Sequence, residues 1–154
     1  MATQWTGGMV SGAVLTAANL NAIGDATETF TPTIVGNTSG SVTIGNGTLT
    51  GNYFRIQKLV IVNYVLTWGS TTTTTCSGLW LFSVPIGNAT RGNAFGRILD
   101  AGSTYYRVTG IAGNNKMVLQ ATDTGSEVQN TVPMATGWAT NDTLVATFVY
   151  ETSA

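Results

Sequence analysis

Apolar and polar side chains alternate with a period of two along most of the chain after residue 30. The segment KLVIVNYVLTW carries large apolar side chains on both sets of alternate positions, which predicts a strand covered on both sides for part of its length. One face holds Val60, Val62, Tyr64, Leu66 and Trp68, and the other holds Leu59, Ile61, Asn63, Val65 and Thr67. Such a strand suits the centre of a sandwich or a contact with a neighbouring subunit.

The same pattern recurs in five later segments, GLWLFSVP, FGRILDAG, TYYRVTGI, KMVLQATD and TLVATFVYET, which are separated by Gly, Asn and Pro turn signals. The last of them alternates Leu144, Ala146, Phe148 and Tyr150 with more polar positions. Eight to ten short strands at regular spacing predict an all-β fold, an antiparallel β-sandwich or jelly-roll-like domain.

Turn signals divide these strands. Asn46-Gly47 lies between β-branched runs and predicts a tight hairpin turn, and Gly51-Asn52 is a second turn signal. The threonine run at residues 71–75 predicts an exposed hairpin tip rather than a strand.

One segment, LTAANLNAIGDATETF at residues 15–30, predicts a helix. Leu20 and Ile23 form a narrow apolar stripe, and Thr16 is a suitable N-cap. A helix of this length is below the ~12–15 residues needed for marginal stability in water, so it needs a surface to dock on. Pro32 prevents its continuation. We therefore predict a helical arm at residues 1–30 and a β-sandwich domain at residues 31–154.

Charged residues make up only 8% of the chain, against about 25% in an average protein, and the net charge is −1. A surface of Thr, Ser, Asn and Gly is typical of a protein that stays assembled with others, and the alternative is a secreted β-domain with a neutral surface. The six basic residues are scattered, which argues against nucleic acid. No apolar run predicts a membrane span or a signal peptide, and the single Cys76 fits a reducing cytosol.

The sequence offers little chemistry. Histidine is absent, Cys76 has no basic neighbour in sequence, and Asp123 and Glu127 flank a turn rather than face each other. We therefore predict no enzymatic activity, no metal and no cofactor. Tyr105, Tyr106 and Trp138 lie near turns and are candidates for glycan contact, although strand aromatics more often pack in the core or pair across strands.

Four stretches of the chain resemble one group of proteins. These are WTGGMV at residues 5–10, LTAANLN at residues 15–21, the segment from GNYF to FSVP at residues 51–85, and GWATNDTLVATFVYE at residues 137–151. Their pattern is similar to that of tailed-bacteriophage virion accessory proteins of the head-decoration, minor tail and fibre types. The resemblance implies a structural protein of the virion that is made in the host cytoplasm, with the major capsid protein or tail proteins as partners.

Within that group, the short chain and the low charge favour a capsid decoration, or cement, protein. We expect a homotrimer that lays its arm on the capsid and stabilises the shell by burying apolar area, worth ~25 cal/mol per Å². The predicted anchoring residues are Trp5, Met9, Val10, Leu15, Leu20 and Ile23. The alternative is a minor tail or fibre-tip protein that binds a host receptor or glycan. A small glycan-processing enzyme is disfavoured because no acid/base pair is evident.

Overall fold

The computed structural model describes residues 14, 16, 27–56, 58–87, 89–113, 116–122, 124–129 and 137–153. These residues form twelve strands in the order β1 Glu28–Phe30, β2 Ile34–Gly36, β3 Val42–Thr43, β4 Thr48–Ile56, β5 Leu59–Thr67, β6 Thr73–Thr74, β7 Trp80–Ser83, β8 Ala89–Leu99, β9 Tyr105–Gly113, β10 Lys116–Ala121, β11 Ser126–Glu127 and β12 Thr143–Thr152.

Ten of these strands form a single antiparallel sheet in the order β1-β4-β5-β12-β8-β9-β10-β7-β2, with β11 paired to β10. The short strands β3 and β6 pair with each other beside it. No helix occurs in the part of the chain that the structure describes. The all-β, antiparallel prediction is therefore confirmed.

The sheet is curled into a half-barrel. Phe82 on β7 lies 5.8 Å from Tyr64 on β5 and 6.1 Å from Phe148 on β12, measured between ring centroids. Three strands separate β7 from β12 in the sheet order, so these contacts are possible only if the two ends of the sheet fold towards each other. The aromatic rings fill the space between the ends, and all three side chains are fully buried.

Small residues form a strip on the inner face of β8, β9 and β12. Gly92 and Gly96 on β8, together with Gly110 on β9, lie so close to the neighbouring strands that an added Cβ would come within 2.5 Å, 2.2 Å and 2.2 Å of other atoms. Ala94 and Ala146 complete this strip and are buried. Glycine at such positions lets strands approach and bend, which is how curved sheets are formed.

The first two strands connect the two edges of the sheet. β1 pairs with β4 at one edge and β2 pairs with β7 at the other, although only Thr31, Pro32 and Thr33 separate them. At the first edge, the Tyr53 hydroxyl donates a hydrogen bond to the Glu28 carboxylate. This bond, together with burial and the negative charge of Glu28, raises the pKa of Tyr53 to about 12. The segment 28–36 therefore spans the opening between the two edges of the curled sheet.

Two turn predictions are corrected. Gly51-Asn52 is not a turn but lies in the middle of β4. Glycine is needed there because the Phe30 ring and Pro32 occupy the position of a Cβ, at 2.3 Å and 2.7 Å. The glycine at position 51 reflects close packing against neighbouring side chains and not a reversal of the chain.

Asn46-Gly47 does lie in a turn, closed by a hydrogen bond from the Gly47 amide to the Ile44 carbonyl of 2.9 Å. The turn does not join a hairpin, because β3 pairs with β6 and not with β4. The threonine run supplies β6, so it is not simply an exposed tip. Thr71 ties the turn to the threonine run, because its amide and its hydroxyl both donate to the Asn46 side chain at 2.9 Å.

The two faces of β5 differ in burial. Its first predicted face is buried as expected, with four side chains fully inaccessible. The second face lies on the outside of the curl, where Leu59 and Val65 are exposed and Ile61 is half-buried. The sequence predicted that both faces of β5 are covered. The described residues cover only its inner face.

The buried Tyr64 hydroxyl supports a stability prediction. No hydrogen bond of normal geometry reaches it among the described residues. Burial raises its pKa, and the nearby Ser83 side chain opposes that rise without forming such a bond. We expect Tyr64→Phe to stabilise the fold by about 1 kcal/mol, because removing the hydroxyl relieves its desolvation penalty. A rise in melting temperature of roughly 2–4 °C in calorimetry would report this gain.

Tyr150 is the matched control for that measurement. Its hydroxyl donates to the Ile86 carbonyl at 2.9 Å and accepts from the Ile86 amide at 3.3 Å. Tyr150→Phe should therefore destabilise the protein by about 1 kcal/mol. A loss of stability in both variants would show that the Tyr64 hydroxyl has a partner after all.

Candidate binding surface

The predicted anchoring residues Trp5, Met9, Val10, Leu15, Leu20 and Ile23 lie outside the described residues. Their role in attachment and the helix predicted around them stay predictions. The end of the predicted helical segment is corrected, because Glu28–Phe30 form strand β1 and pair with β4. The boundary predicted near residue 30 falls at the end of β1, the first strand of the sheet.

The three aromatic residues predicted to contact glycan lie at one end of the sheet but do not share a face. Tyr105 begins β9 and is 59% exposed on the outer side. Tyr106, the next residue, points the other way and packs against the core, because successive strand residues alternate. Trp138 is half-buried and also packs against the core. Only Tyr105 is strongly exposed, and glycan contact stays a prediction for all three.

Trp138 belongs to a stack of three indole rings. Its ring centroid lies 5.0 Å from Trp80 and 5.6 Å from Trp68, with the planes within 30° of each other. Its indole N–H donates to the Gln129 carbonyl at 3.1 Å. A ring that is stacked and hydrogen-bonded in this way contributes to packing, so a ligand could reach only the part of Trp138 that remains exposed.

Asp142 fixes this end of the sheet. It is buried, and its two carboxylate oxygens accept from the Ala101 amide at 2.8 Å and the Ala139 amide at 2.6 Å. The β8–β9 turn and the segment before β12 are thereby held together. Asp142 therefore positions the loops beside Tyr105, and we assign it a structural role.

The outer face of the sheet carries exposed apolar side chains that were not among the predicted site residues. Phe95 on β8 is 58% exposed, Val145 on β12 is 38% exposed and Val65 on β5 is 37% exposed. Val145 pairs in register with Val65 on one side and with Arg97 on the other. Exposed apolar side chains next to each other are typical of surfaces that bind another protein or a ligand.

Two arginines lie side by side on this face. Arg97 and Arg107 are directly opposite each other in the register of β8 and β9. The turn that joins these strands is closed by Asp100 and Thr104 and centred on Gly102, whose φ of 83° is readily adopted only by glycine. The Arg97 guanidinium carbon lies 5.6 Å from the centroid of the Tyr105 ring, a cation–π contact.

A shallow groove of about 550 Å³ runs along these strands. Its lining residues include apolar residues, the two arginines and three threonines. The Thr122 hydroxyl donates to the Arg107 carbonyl at 3.2 Å, and the Thr147 hydroxyl donates to the Asn63 side-chain oxygen at 2.8 Å. The lining consists of Phe95, Gly96, Arg97, Arg107, Val108, Thr109, Thr122, Val145 and Thr147.

A signal for the arginine pair is present in the sequence. FGRIL and YYRVT are adjacent predicted strands, and Arg97 and Arg107 are each five residues from Gly102, the glycine of the intervening turn. A hairpin centred on that glycine must place the two residues opposite each other. The basic residues look scattered along the sequence as long as this register is not considered.

Other kinds of site find little support in the geometry. Among the described residues, no group of three or more His, Cys, Asp or Glu side chains is arranged to hold a metal ion. Asp123 lies outside the described residues. Cys76 is buried.

No helix within the described ranges has the length and the apolar character needed to cross a bilayer.

The chain was compared with known proteins by sequence and by fold. No protein-family model, no curated protein and no solved structure matches it.

Proposed function

We propose that this chain is a structural protein of a tailed-bacteriophage virion, in the role of a capsid decoration, or cement, protein. The observation that supports this best is the outer sheet face, where Val65, Val145 and Phe95 are exposed on a chain with only 8% charged residues. A soluble monomer relies on surface charge and avoids such patches, whereas a subunit of an assembly covers them. The virion is proposed as that assembly because the sequence resembles virion accessory proteins.

The proposal includes the parts predicted from the sequence. Residues 1–27, the part of the predicted arm that precedes β1, would act as the anchoring arm with a short helix. The remaining β-domain would be a jelly-roll-like sandwich in a homotrimer. The arm would lie on the major capsid protein or on tail proteins. The β-domain would then add contact area between neighbouring subunits of the shell.

Deletion of residues 1–27 tests the anchoring role. The described sheet begins at Glu28, so we expect the shortened protein to keep its β-sheet circular dichroism and a similar melting temperature. We expect it to lose incorporation into phage particles, measured by quantitative mass spectrometry of purified virions. Normal copy number with the shortened protein would refute the arm as the attachment device.

Two further measurements test the rest of the proposal. Copy number in the intact virion separates the head from the tail, since a decoration protein is present in hundreds of copies and a tail protein in a handful. Light scattering of the purified protein should give about three times the chain mass of 16.0 kDa. A single chain mass at micromolar concentration would contradict the trimer.

A second candidate function is recognition of the host surface by a tail or fibre-tip protein. The observation that favours it is the groove beside Tyr105, which is lined by the exposed Phe95, two arginines and three threonines. A low copy number together with saturable glycan binding would favour this function over decoration.

A further inference from the structure

Asn46-Gly47 is the only Asn-Gly dipeptide in the chain. Asparagine is most reactive before glycine, because glycine has no side chain to shield its backbone nitrogen. That nitrogen loses its proton and attacks the side-chain carbonyl carbon of the asparagine. The new N–C bond closes a succinimide ring, and ammonia leaves. Water then opens the ring, so the net change is from asparagine and water to aspartate or isoaspartate and ammonia.

The packing of the turn requires this dipeptide. An added Cβ at Gly47 would lie 2.5 Å from the Thr67 carbonyl oxygen and 2.8 Å from the Gly69 amide nitrogen. The Asn46 side chain lies against Gly69, where an added Cβ would come within 2.2 Å of the Asn46 Oδ1. A side chain at either glycine would force the neighbouring backbone to move, so the fold keeps a reactive dipeptide at this turn.

Hydrogen bonds occupy both reacting groups. The Gly47 amide, which is the attacking group, donates to the Ile44 carbonyl at 2.9 Å. The Asn46 Oδ1 accepts from the Thr71 amide and hydroxyl, both at 2.9 Å, and its side-chain NH₂ group donates to the Ser70 hydroxyl at 2.9 Å. The reaction removes the amide proton and expels the NH₂ group, so it must break these bonds.

The protection depends on the docking of residues 69–72 against the turn. The Asn46 backbone amide donates to the Thr71 hydroxyl at 2.8 Å, and the Thr72 hydroxyl donates to the Ile44 carbonyl. The pairing of β3 with β6 holds the two segments together on either side of this contact. Asn46 is exposed, so water already reaches it. Local opening of the contact, rather than access of water, therefore limits the reaction.

We propose that Asn46 is a latent deamidation site, which stays an asparagine while residues 69–72 are docked and converts to aspartate or isoaspartate when they are released. This inference goes beyond the proposed function, because it concerns a chemical modification of the chain and uses neither the virion nor a ligand. It rests on the hydrogen bonds of one turn.

The two products have different consequences for the turn. Aspartate keeps two side-chain oxygens, which accept from Thr71 and from a rotated Ser70 hydroxyl. Isoaspartate instead adds a methylene group to the backbone, in a turn where an added carbon at Gly45 or Gly47 already comes within 2.5 Å of backbone oxygens. Formation of isoaspartate therefore prevents residues 69–72 from docking again, and a reversible opening becomes permanent.

The test compares the folded full-length protein with the same protein in guanidinium chloride, both kept in mildly alkaline buffer. Peptide mass spectrometry measures the conversion of the Asn46 amide to an acid. We expect Asn46 to be the first asparagine to convert in the denatured chain. In the folded protein its conversion should be at least about tenfold slower, because reaction requires the opened turn. Equal rates in the two states would overturn the proposal.

Variants connect the protection to particular bonds. Thr71→Val removes a hydroxyl that makes two bonds to Asn46, so conversion in the folded protein should be about tenfold faster. Ser70→Ala removes one acceptor and should give conversion about fivefold faster. Thr73→Val is the matched control, because Thr73 is exposed on β6 and the change is the same. Its rate should stay within about twofold of the unchanged protein.

Circular dichroism checks that these variants are folded. If neither Thr71→Val nor Ser70→Ala converts faster than Thr73→Val, the bonds to Asn46 do not protect it and the proposal is wrong.

Asn46→Asp tests the difference between the two products. We expect this variant to melt within roughly 4 °C of the unchanged protein, and purified isoaspartate-containing protein to melt below the variant. Equal melting temperatures of the variant and the isoaspartate form would refute the loss of docking.

Discussion

Replacing Phe82 by alanine should lower the free energy of unfolding by about 3–5 kcal/mol. Phe82 is fully buried on β7 and contacts Tyr64 on β5 and Phe148 on β12 across the interior of the curl. Its loss removes apolar contact area and leaves a cavity where the two ends of the sheet meet. Since domains are stable by only about 5–15 kcal/mol, the variant should unfold at a much lower denaturant concentration.

Phe95→Ala is the matched control for this experiment. The residue type and the change are the same, but Phe95 is 58% exposed on the outer face. We expect its effect on stability to stay within about 0.5 kcal/mol. Similar losses in the two variants, measured by urea unfolding, would contradict the position of Phe82 between the ends of the curled sheet.

Gly96→Ala should destabilise the protein by about 3 kcal/mol, although alanine is ordinarily tolerated in a strand better than glycine. An added Cβ at Gly96 would lie 2.2 Å from the Val145 carbonyl oxygen and 2.8 Å from the Ala146 Cα. Both are backbone atoms of β12, so β8 and β12 would have to move apart. That movement opposes the curl that brings the aromatic rings together.

Gly87→Ala provides the control. Gly87 follows β7, and an added Cβ there meets no other atom within 4 Å. We expect a change between zero and a gain of about 1 kcal/mol, because alanine reduces the conformational freedom of the unfolded chain. If Gly96→Ala were equally neutral in urea unfolding, the close approach of β8 and β12 would not be a requirement of the fold.

Alternation of side chains predicted the long strands well. β12 carries Leu144, Ala146, Phe148 and Tyr150 on its buried face, and β7 ends before Pro85, both as predicted. These predictions succeed because a strand with one face in the core must place an apolar residue at every second position. The information is local, so the sequence contains it directly.

A glycine in the sequence predicts local structure less reliably than the alternation of apolar and polar side chains. Gly45-Asn46-Gly47 forms a turn, whereas Gly51-Asn52 lies inside β4 with two neighbouring side chains packed against the glycine. The two signals look alike in sequence because glycine serves both for chain reversal and for close approach. Only the position of Phe30 and Pro32 distinguishes them, and both lie about twenty residues earlier in the chain.

The residues that line the groove were also hard to predict, because they come together from different strands. Tyr105 was recognised as a candidate from its position near a turn, and the structure places it on the outer face beside Arg97. Phe95, Thr109 and Val145 were not recognised, because each is an ordinary strand residue in its own segment. They form one lining only after β9, β8 and β12 pair side by side.

By itself, the sequence determined that this protein is built of antiparallel strands, which face of β12 is buried, and that the chain is poor in charge. These properties depend on composition and on the period of the side chains. The tertiary structure decided the order of the strands, the curl around the aromatic core and the meeting of two arginines with an exposed phenylalanine. Those features depend on contacts between residues far apart in the chain, and a one-dimensional pattern does not specify which distant segments pair.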